Sequence, residues 1–246
     1  MNPKHTPPLL RETLEHFGIE SNDCTFEMLK ECAKNLHASP PSQRVVSRWH
    51  DLLIEKLVRP EDSLLDLGCG DGELLARLSS KKGCWLQGVE WEEDEVNRCI
   101  ERGIPVCHAD LEKILPSIPD KSYTWAVLEN TLFTLKRPLD VVREMLRVAE
   151  YSVVTFPNFA HWSVRFTFSL GGRMPVTKAL PYKWYDTPNI HLCSITDFLD
   201  VVEEWHLEVL HSWVLVEGET VPFDPTTEQN ITGEQALFVI RKRSSE

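Results

Sequence analysis

No stretch of the 246-residue chain strings together the roughly 18 apolar residues that a bilayer-spanning helix needs, so no transmembrane helix is expected. The opening MNPKHTPPLLRETLEHFG has no apolar signal core, because Arg11, Glu12 and Glu15 interrupt it. Paired cysteines are missing as well. The seven cysteines stand at 24, 32, 69, 84, 99, 107 and 193, an odd number with no CxxC among them. That spacing indicates neither a zinc knuckle nor a disulfide framework, and no metal site is expected. Reduced thiols in a cytoplasmic protein are the expectation. Basic charge is scarce: 26 Lys and Arg against 38 Asp and Glu leave a formal net charge of -12. Nucleic acid and anionic membranes are themselves negative, so the balance argues against both as partners. Internal repeats and low-complexity segments are absent too.

What is present is an ordinary globular composition, 42% apolar and 26% charged. A chain of this length buries about 70% of its unfolded surface and needs no cross-link to hold a core. Residues 1–42 read as a helical extension and linker. Pro7-Pro8 starts a helix over Leu9 to Phe17, a second helix covers Phe26 to Leu36, and Pro40-Pro41 breaks the chain. Residues 43–246 read as one domain in which helices and strands alternate. Helices are expected over Val45–Val58, Gly72–Ser79, Asp94–Arg102, Leu139–Val148 and Thr196–Glu204. Strands are expected over Ser63–Leu67, Trp85–Glu90, Ile104–Cys107, Tyr123–Leu128, Tyr151–Phe156, Leu207–Val216 and Ala236–Arg241. Such alternation means crossover connections and an α/β fold with a mainly parallel sheet. The polar stretch from Glu217 to Gln235 reads as a long exposed loop.

The strongest chemical signal is SLLDLGCGDGELL, residues 63–75. A buried strand runs into Gly68, Gly70 and Gly72 and a helix follows at once. Glycines there permit backbone angles that a side chain would forbid, and they let a ligand approach the main chain closely. In open parallel sheets ligands bind at this place, beyond the carboxyl ends of the strands. A dinucleotide fingerprint would need its third glycine at position 73, where Glu73 stands, and the Gly-Lys-Ser/Thr of a phosphate loop is absent. Asp66 and Asp71 make the loop acidic, a poor cradle for pyrophosphate. It suits a ligand with a cationic end and no phosphate, such as S-adenosylmethionine, and Cys69 reads as a small residue fitting a tight site. Glu90 ends the next strand, 20 residues beyond Gly70, where a carboxylate accepts both hydroxyls of a ribose; Trp91 follows it. Asp110 and Leu111 follow the third strand and suit the amine and ring of adenine.

The sequence resembles class I S-adenosylmethionine-dependent methyltransferases and, more narrowly, the MetW family of methionine biosynthesis proteins. The likeness rests on LLDLGCGDGELL (64–75), GVE (88–90), RCIERGIPV (98–106) and RPLDVVREMLRV (137–148). It rests above all on VVTFPNFAHWSVR (153–165) and GRMPVTKALPYKWYDTPNIHLCSITDF (172–198). The resemblance covers roughly residues 46–217. It implies the Rossmann-like methyltransferase fold, a doubly wound, mainly parallel sheet of seven strands, with bound S-adenosylmethionine and a link to methionine synthesis as a partner of homoserine O-acyltransferase. One departure stands out. The fourth strand begins Tyr123-Thr124 where the family pattern has Phe-Asp, leaving Glu129 and Asn130 at its far end as the available polar groups.

Between His161 and Tyr185 the charge balance inverts. Arg165, Arg173, Lys178 and Lys183 stand there with no acid, beside six aromatics: Trp162, Phe166, Phe168, Tyr182, Trp184 and Tyr185. Basic and aromatic groups together suit an acidic ligand or an acidic protein surface, and this segment is the expected contact for homoserine O-acyltransferase. The alternative is an insertion whose aromatics complete the core. Asn158, His161, Tyr185, Asp186 and His191 are the groups that could face a reacting centre. Methyl transfer from a sulfonium needs in-line positioning more than a base, so a catalytic residue stays unassigned. Two functions remain open: a subunit that senses S-adenosylmethionine and acts on the acyltransferase, and an active methyltransferase on a small or acidic acceptor.

Overall fold

The computed structural model describes residues 48–243; both helices expected in the first 40 residues lie outside them. The described residues fall into two compact units, Trp162–Asp186 and the remainder. The larger unit is built on one sheet of eight strands in the order β3-β2-β1-β4-β5-β8-β6-β7. In chain order its strands are β1 (Ser63–Leu67), β2 (Trp85–Glu90), β3 (Val106–His108), β4 (Tyr123–Glu129), β5 (Ala149–Pro157), β6 (Leu207–Val216), β7 (Glu219–Pro222) and β8 (Gln235–Lys242). β1 to β5 pair in parallel, while β8 runs antiparallel to both β5 and β6.

The strands form because apolar residues occupy both of their faces. In β1 every residue from Leu64 to Leu67 is buried, which fits a strand covered by helices on two sides. Alternate residues feed two cores: Leu65, Leu67, Ala126 and Leu128 go to one, and Leu64, Trp125 and Val127 to the other. The covering helices start on identifiable signals. Helix α5 (Pro138–Val148) has proline in its first turn and buries Val141, Val142, Met145 and Leu146. Helix α7 (Ile195–Glu204) opens on a capping box, with the Ser194 Oγ accepting from the Asp197 N–H at 3.1 Å. Helix α1 (Trp49–Leu57) is tied to β8 by the Trp49 indole N–H, which donates to Gln235 at 2.7 Å.

The doubly wound sheet is as expected, with one strand more than seven. The polar stretch from Glu217 to Gln235 is not all loop. Glu219–Pro222 folds back on β6 as an edge strand, and Gln229–Thr232 forms a short helix, α8. Helix α6 (Trp162–Gly171), in the smaller unit, was not expected either. No helix among the described residues is long and apolar enough to cross a membrane. Strand order reverses between β1 and β4, so the carboxyl ends of these two strands border the crevice of a doubly wound sheet.

Candidate functional site

The loop after β1 has the backbone that its glycines allow. Gly68, Gly70 and Gly72 have φ of 75°, 55° and 72°. At Gly68 an added Cβ would lie 2.7 Å from the Thr131 hydroxyl, and at Gly72 it would lie 2.8 Å from Cys99 Sγ. These two glycines are packing requirements. Gly70 is different: nothing lies within 4 Å of where its Cβ would stand. Its left-handed backbone therefore faces open space at the carboxyl edge of the sheet.

Glu90 holds this loop in place. Its carboxylate accepts the Gly70 N–H at 2.8 Å through one oxygen, and the Trp91 and Glu92 N–H groups at 2.7 and 2.9 Å through the other. Helix α3 (Glu93–Glu101) follows directly. Asp110 caps helix α4 (Leu111–Ile114), accepting from the Glu112 N–H at 3.0 Å, and pairs with Lys113 at 3.0 Å. The Lys113 hydrogen bond holds its carboxyl below the usual carboxylate range. Trp91 is largely exposed, with the Lys113 ammonium 5.9 Å from its ring and the His108 ring edge-on. Leu111 is buried in the core. Trp91 and Asp110 thus stand together around Lys113, while Glu90 reaches the glycine loop.

Asp71 behaves differently from its reading as a free loop acid. It is bound by Arg48 at 3.1 Å and by Arg102 at 2.9 Å. Burial raises its pKa, but the Arg48 hydrogen bond and both guanidinium charges outweigh burial and hold it low. Its charge is spent on the protein. Asp66 keeps its acidic surroundings. It is 2% exposed, and burial together with the charges of Glu129, Asp51 and Glu90 pushes its carboxyl well above the ordinary value. Cys69 is an inert thiol: burial and Asp66 push its pKa up, and its Sγ lies 3.9 Å from Cys99 Sγ as a free cysteine.

Two residues that the sequence did not single out, His50 and Asp51, join Glu129 at the end of β4. His50 and Asp51 of α1 are buried, and His50 Nδ1 donates to Asp51 at 3.1 Å and to Glu129 at 2.9 Å. Burial lowers the His50 pKa, but these two acids prevail and raise it to about 9. It is an imidazolium at neutral pH. Its Nε2 faces the Asn130 amide at 3.4 Å. Asn130 itself has a φ of 50°, a strained backbone for a residue with a side chain, set where β4 ends. The other oxygen of Asp51 is buried without a hydrogen bond, with Arg48 and Arg77 at 3.7 and 3.9 Å. His50, Asp51 and Glu129 bring metal-ligand-type atoms within 4.8 Å of one another, but the imidazolium and the two guanidiniums already balance these acids. A separation of 79 residues between His50 and Glu129 hides this group from motif reading.

The candidate catalytic residues do not form one constellation. Asn158 is fully buried and its amide is consumed. It donates to Asn230 and Gly233 carbonyls at 2.8 and 2.9 Å and accepts from the Ala160 and Ile195 N–H groups at 3.0 and 3.3 Å. No hydrogen-bonding position is left for a substrate, so Asn158 is a knot between loops and not a reacting group. His161 is half-buried, and burial pushes its pKa down. His191 donates its backbone N–H to Phe133 at 3.1 Å, and its Nε2 is buried without a hydrogen-bond partner. Tyr185 is exposed in the smaller unit, beside exposed Asp186, with Lys183 5.7 Å from its ring.

The fit to a ligand follows. Open backbone at Gly70, the Glu90 carboxylate beside it and the buried acid Asp66 fit a cationic nucleoside without phosphate. Arg48 and Arg102 are bound to Asp71, so neither guanidinium stands ready for a phosphate.

A family model for methionine biosynthesis protein MetW matches residues 48–240. The bifunctional methionine biosynthesis protein MetXA/MetW of Rhodopirellula baltica is 26% identical over 219 residues, which is 85% of this chain and 35% of the relative. The chain therefore spans little over a third of that relative's length. Among solved structures, a possible histamine N-methyltransferase from Thermotoga maritima, S-adenosylmethionine-dependent by description, is 18% identical. It covers 78% of this chain and 87% of its own with a TM-score of 0.55. The plantazolicin methyltransferase BamL, solved with a substrate analogue and SAH, is 14% identical over 89% of this chain and 97% of its own, with a TM-score of 0.58. At these identities the likeness is one of fold: the chain has the class I methyltransferase architecture.

Proposed function

The chain belongs to the MetW family of methionine biosynthesis proteins, and on that premise we propose that it binds S-adenosylmethionine at its glycine loop and acts with, or on, a homoserine O-acyltransferase. The observation that carries the cofactor reading is Gly70. Its N–H is stapled to Glu90 at 2.8 Å while the space before it is open. There Glu90 would hold the ribose hydroxyls, Asp110 and Leu111 would take the adenine, and Asp66 and Glu129 would face the cationic end. When bound, S-adenosylmethionine supplies an electrophilic methyl group; the residues of this chain bind and orient it.

The acyltransferase reading is supported by the relative whose name joins MetXA and MetW in one protein. Fusion raises the effective concentration of two modules that work together, and separate chains reach the same end by docking. Residues 161–185 offer the surface. Phe168, Trp184 and Tyr185 are exposed, not buried as core aromatics, and Arg173, Lys178 and Lys183 are exposed among them.

Two measurements test the proposal. Calorimetric titration with S-adenosylmethionine should show binding, and absence of binding would remove the cofactor reading. Co-purification with a homoserine O-acyltransferase should alter that enzyme's rate. If it does not, and labelled S-adenosylmethionine instead yields a methylated small acid from cell extract, the protein is an independent methyltransferase.

A further inference from the structure

We infer that cofactor occupancy and partner docking are coupled in this protein: a ligand that fixes the glycine loop also steadies a strap, residues 190–193, whose exposed Ile190 and Leu192 dock the partner. The inference rests on the cofactor and acyltransferase readings above and adds a regulatory link between them.

The chain of contacts starts at the glycine loop. Thr131, two residues past the end of β4, packs on Gly68: a Cβ added there would lie 2.7 Å from the Thr131 hydroxyl and 3.2 Å from its methyl carbon. At that distance the loop backbone and Thr131 do not move independently. The Thr131 hydroxyl donates to the Glu129 carbonyl at 2.9 Å. Thr131 also opens a single 3-10 turn, Leu132–Thr134, closed by the Thr134 N–H on the Thr131 carbonyl at 3.0 Å. Leu132 and Phe133 of this turn are buried. The Phe133 carbonyl accepts two N–H groups from one distant segment, Ile190 at 2.8 Å and His191 at 3.1 Å. Further along that segment the Cys193 carbonyl accepts the Phe159 N–H at 3.2 Å, and the Phe159 ring meets the Phe133 ring edge-on at 5.5 Å. Residues 190–193 are thus fastened at one end to the turn after β4 and at the other to Phe159 beyond β5. All of these groups belong to the larger unit.

What the strap shows to solvent is apolar. Ile190 and Leu192 are 58% and 61% exposed, and in sequence they come soon after the basic aromatic segment that ends at Tyr185. Side chains that stand in water do not hold a strap by packing, so its order depends on its backbone hydrogen bonds and on the turn that receives them. That turn follows a strained point. Asn130 keeps a left-handed φ of 50°, held by its N–H on the Thr155 carbonyl at 3.1 Å and hydroxyl at 3.0 Å. A ligand that immobilises the glycine loop takes away a direction in which Thr131 and the turn can yield. The docking side chains then have less freedom left to lose when the partner arrives, and the partner binds more tightly. The link is reciprocal: the factor that the cofactor adds to partner affinity, the partner adds to cofactor affinity.

The test combines amide hydrogen exchange with binding, on the full chain. S-adenosylmethionine alone should slow exchange in residues 190–193 by about fivefold or more, and it should tighten association with a homoserine O-acyltransferase by a similar factor. Thr131→Ala removes the contact with Gly68 and leaves every docking side chain in place. It should bind the cofactor and the acyltransferase singly as the parent does, with the coupling factor reduced to about one. Ile190→Ala combined with Leu192→Ala should weaken association by about tenfold and leave cofactor affinity unchanged when no partner is present. Strap exchange that ignores S-adenosylmethionine, or partner affinity that is equal or weaker with the cofactor present, would overturn the inference with both readings still standing. Coupling that survives Thr131→Ala, or association indifferent to the double alanine variant, overturns it as well. Should Thr131→Ala fail to fold, exchange and affinity of the unmodified protein, with and without S-adenosylmethionine, still decide. If the cofactor alone does not bind, or the acyltransferase alone does not associate, the single titrations show which reading falls, and this inference falls with it.

Discussion

With Glu90 truncated to alanine, the N–H groups of Gly70, Trp91 and Glu92 lose their acceptor. Water replaces part of it beside exposed Trp91, but the Gly70 N–H is left without a partner. The expected cost is about 2–3 kcal/mol, visible as a melting temperature lowered by several degrees. Affinity for S-adenosylmethionine should fall by more than about tenfold as well. Sequence reading gives Glu90 a ribose role alone; the backbone staple adds the stability penalty. An unchanged melting curve would show that the staple carries no energy. Gly70→Ala separates strain from ligand contact. Gly70 and Gly103 share a left-handed φ, 55° and 71°, and open surroundings. Alanine at either should cost about 1–2 kcal/mol. Only Gly70→Ala should also lose cofactor affinity, by about tenfold or more. Equal affinity in both variants would place the ligand elsewhere.

At the scale of elements, α1 is pinned to the end of β4 by one imidazolium. The folded-state pKa of His50, about 9, lies above its ordinary 6.5. The stabilisation is therefore complete below the unfolded value of about 6.5 and is lost as pH rises through about 9. At most about 3 kcal/mol is at stake. Denaturant titration across that window should show falling stability, and His50→Gln should flatten the fall; a parallel fall in the variant would assign it to another group. No local pattern announces this contact, because 79 residues separate His50 from Glu129 in sequence. The same reason hid the pairing of Asp71 with Arg48 and Arg102. Elements with two apolar faces or one clean stripe were legible: β1, β2 and β6 carry the bounds expected from sequence. Edge strand β7 was not, since ETVP has a single half-buried residue and three exposed ones. β3 begins later than its apolar run, at Val106, because Pro105 has no N–H to give the ladder. The place of the glycine loop after β1 and of Glu90 at the end of β2 was readable because glycine and acid follow the strand runs. The structural use of Asn158 was not readable because Ile195, Asn230 and Gly233 lie 37, 72 and 75 residues away in sequence.

For the whole molecule, the net charge of -12 is less informative than its distribution. The acids at the sheet's carboxyl edge are balanced locally by His50, Arg48, Arg77 and Arg102, apart from Asp66. The smaller unit carries exposed Arg173, Lys178 and Lys183 beside exposed Trp184 and Tyr185. Such a surface attracts an acidic partner by long-range steering and then excludes water with its rings, so association should weaken with salt. Reversing Arg173, Lys178 and Lys183 together to glutamate should weaken co-purification with a homoserine O-acyltransferase by about tenfold or more at low ionic strength, chiefly through the on-rate. The same variant should bind S-adenosylmethionine as the parent does, because none of the three belongs to the glycine loop or the strand ends. Trp184→Ala should instead speed dissociation with little change in salt dependence, as loss of a central aromatic anchor does. If the triple reversal leaves association intact, the acyltransferase docks elsewhere. If it abolishes cofactor binding as well, the charged segment is part of the cofactor site, and sensing and docking are one event.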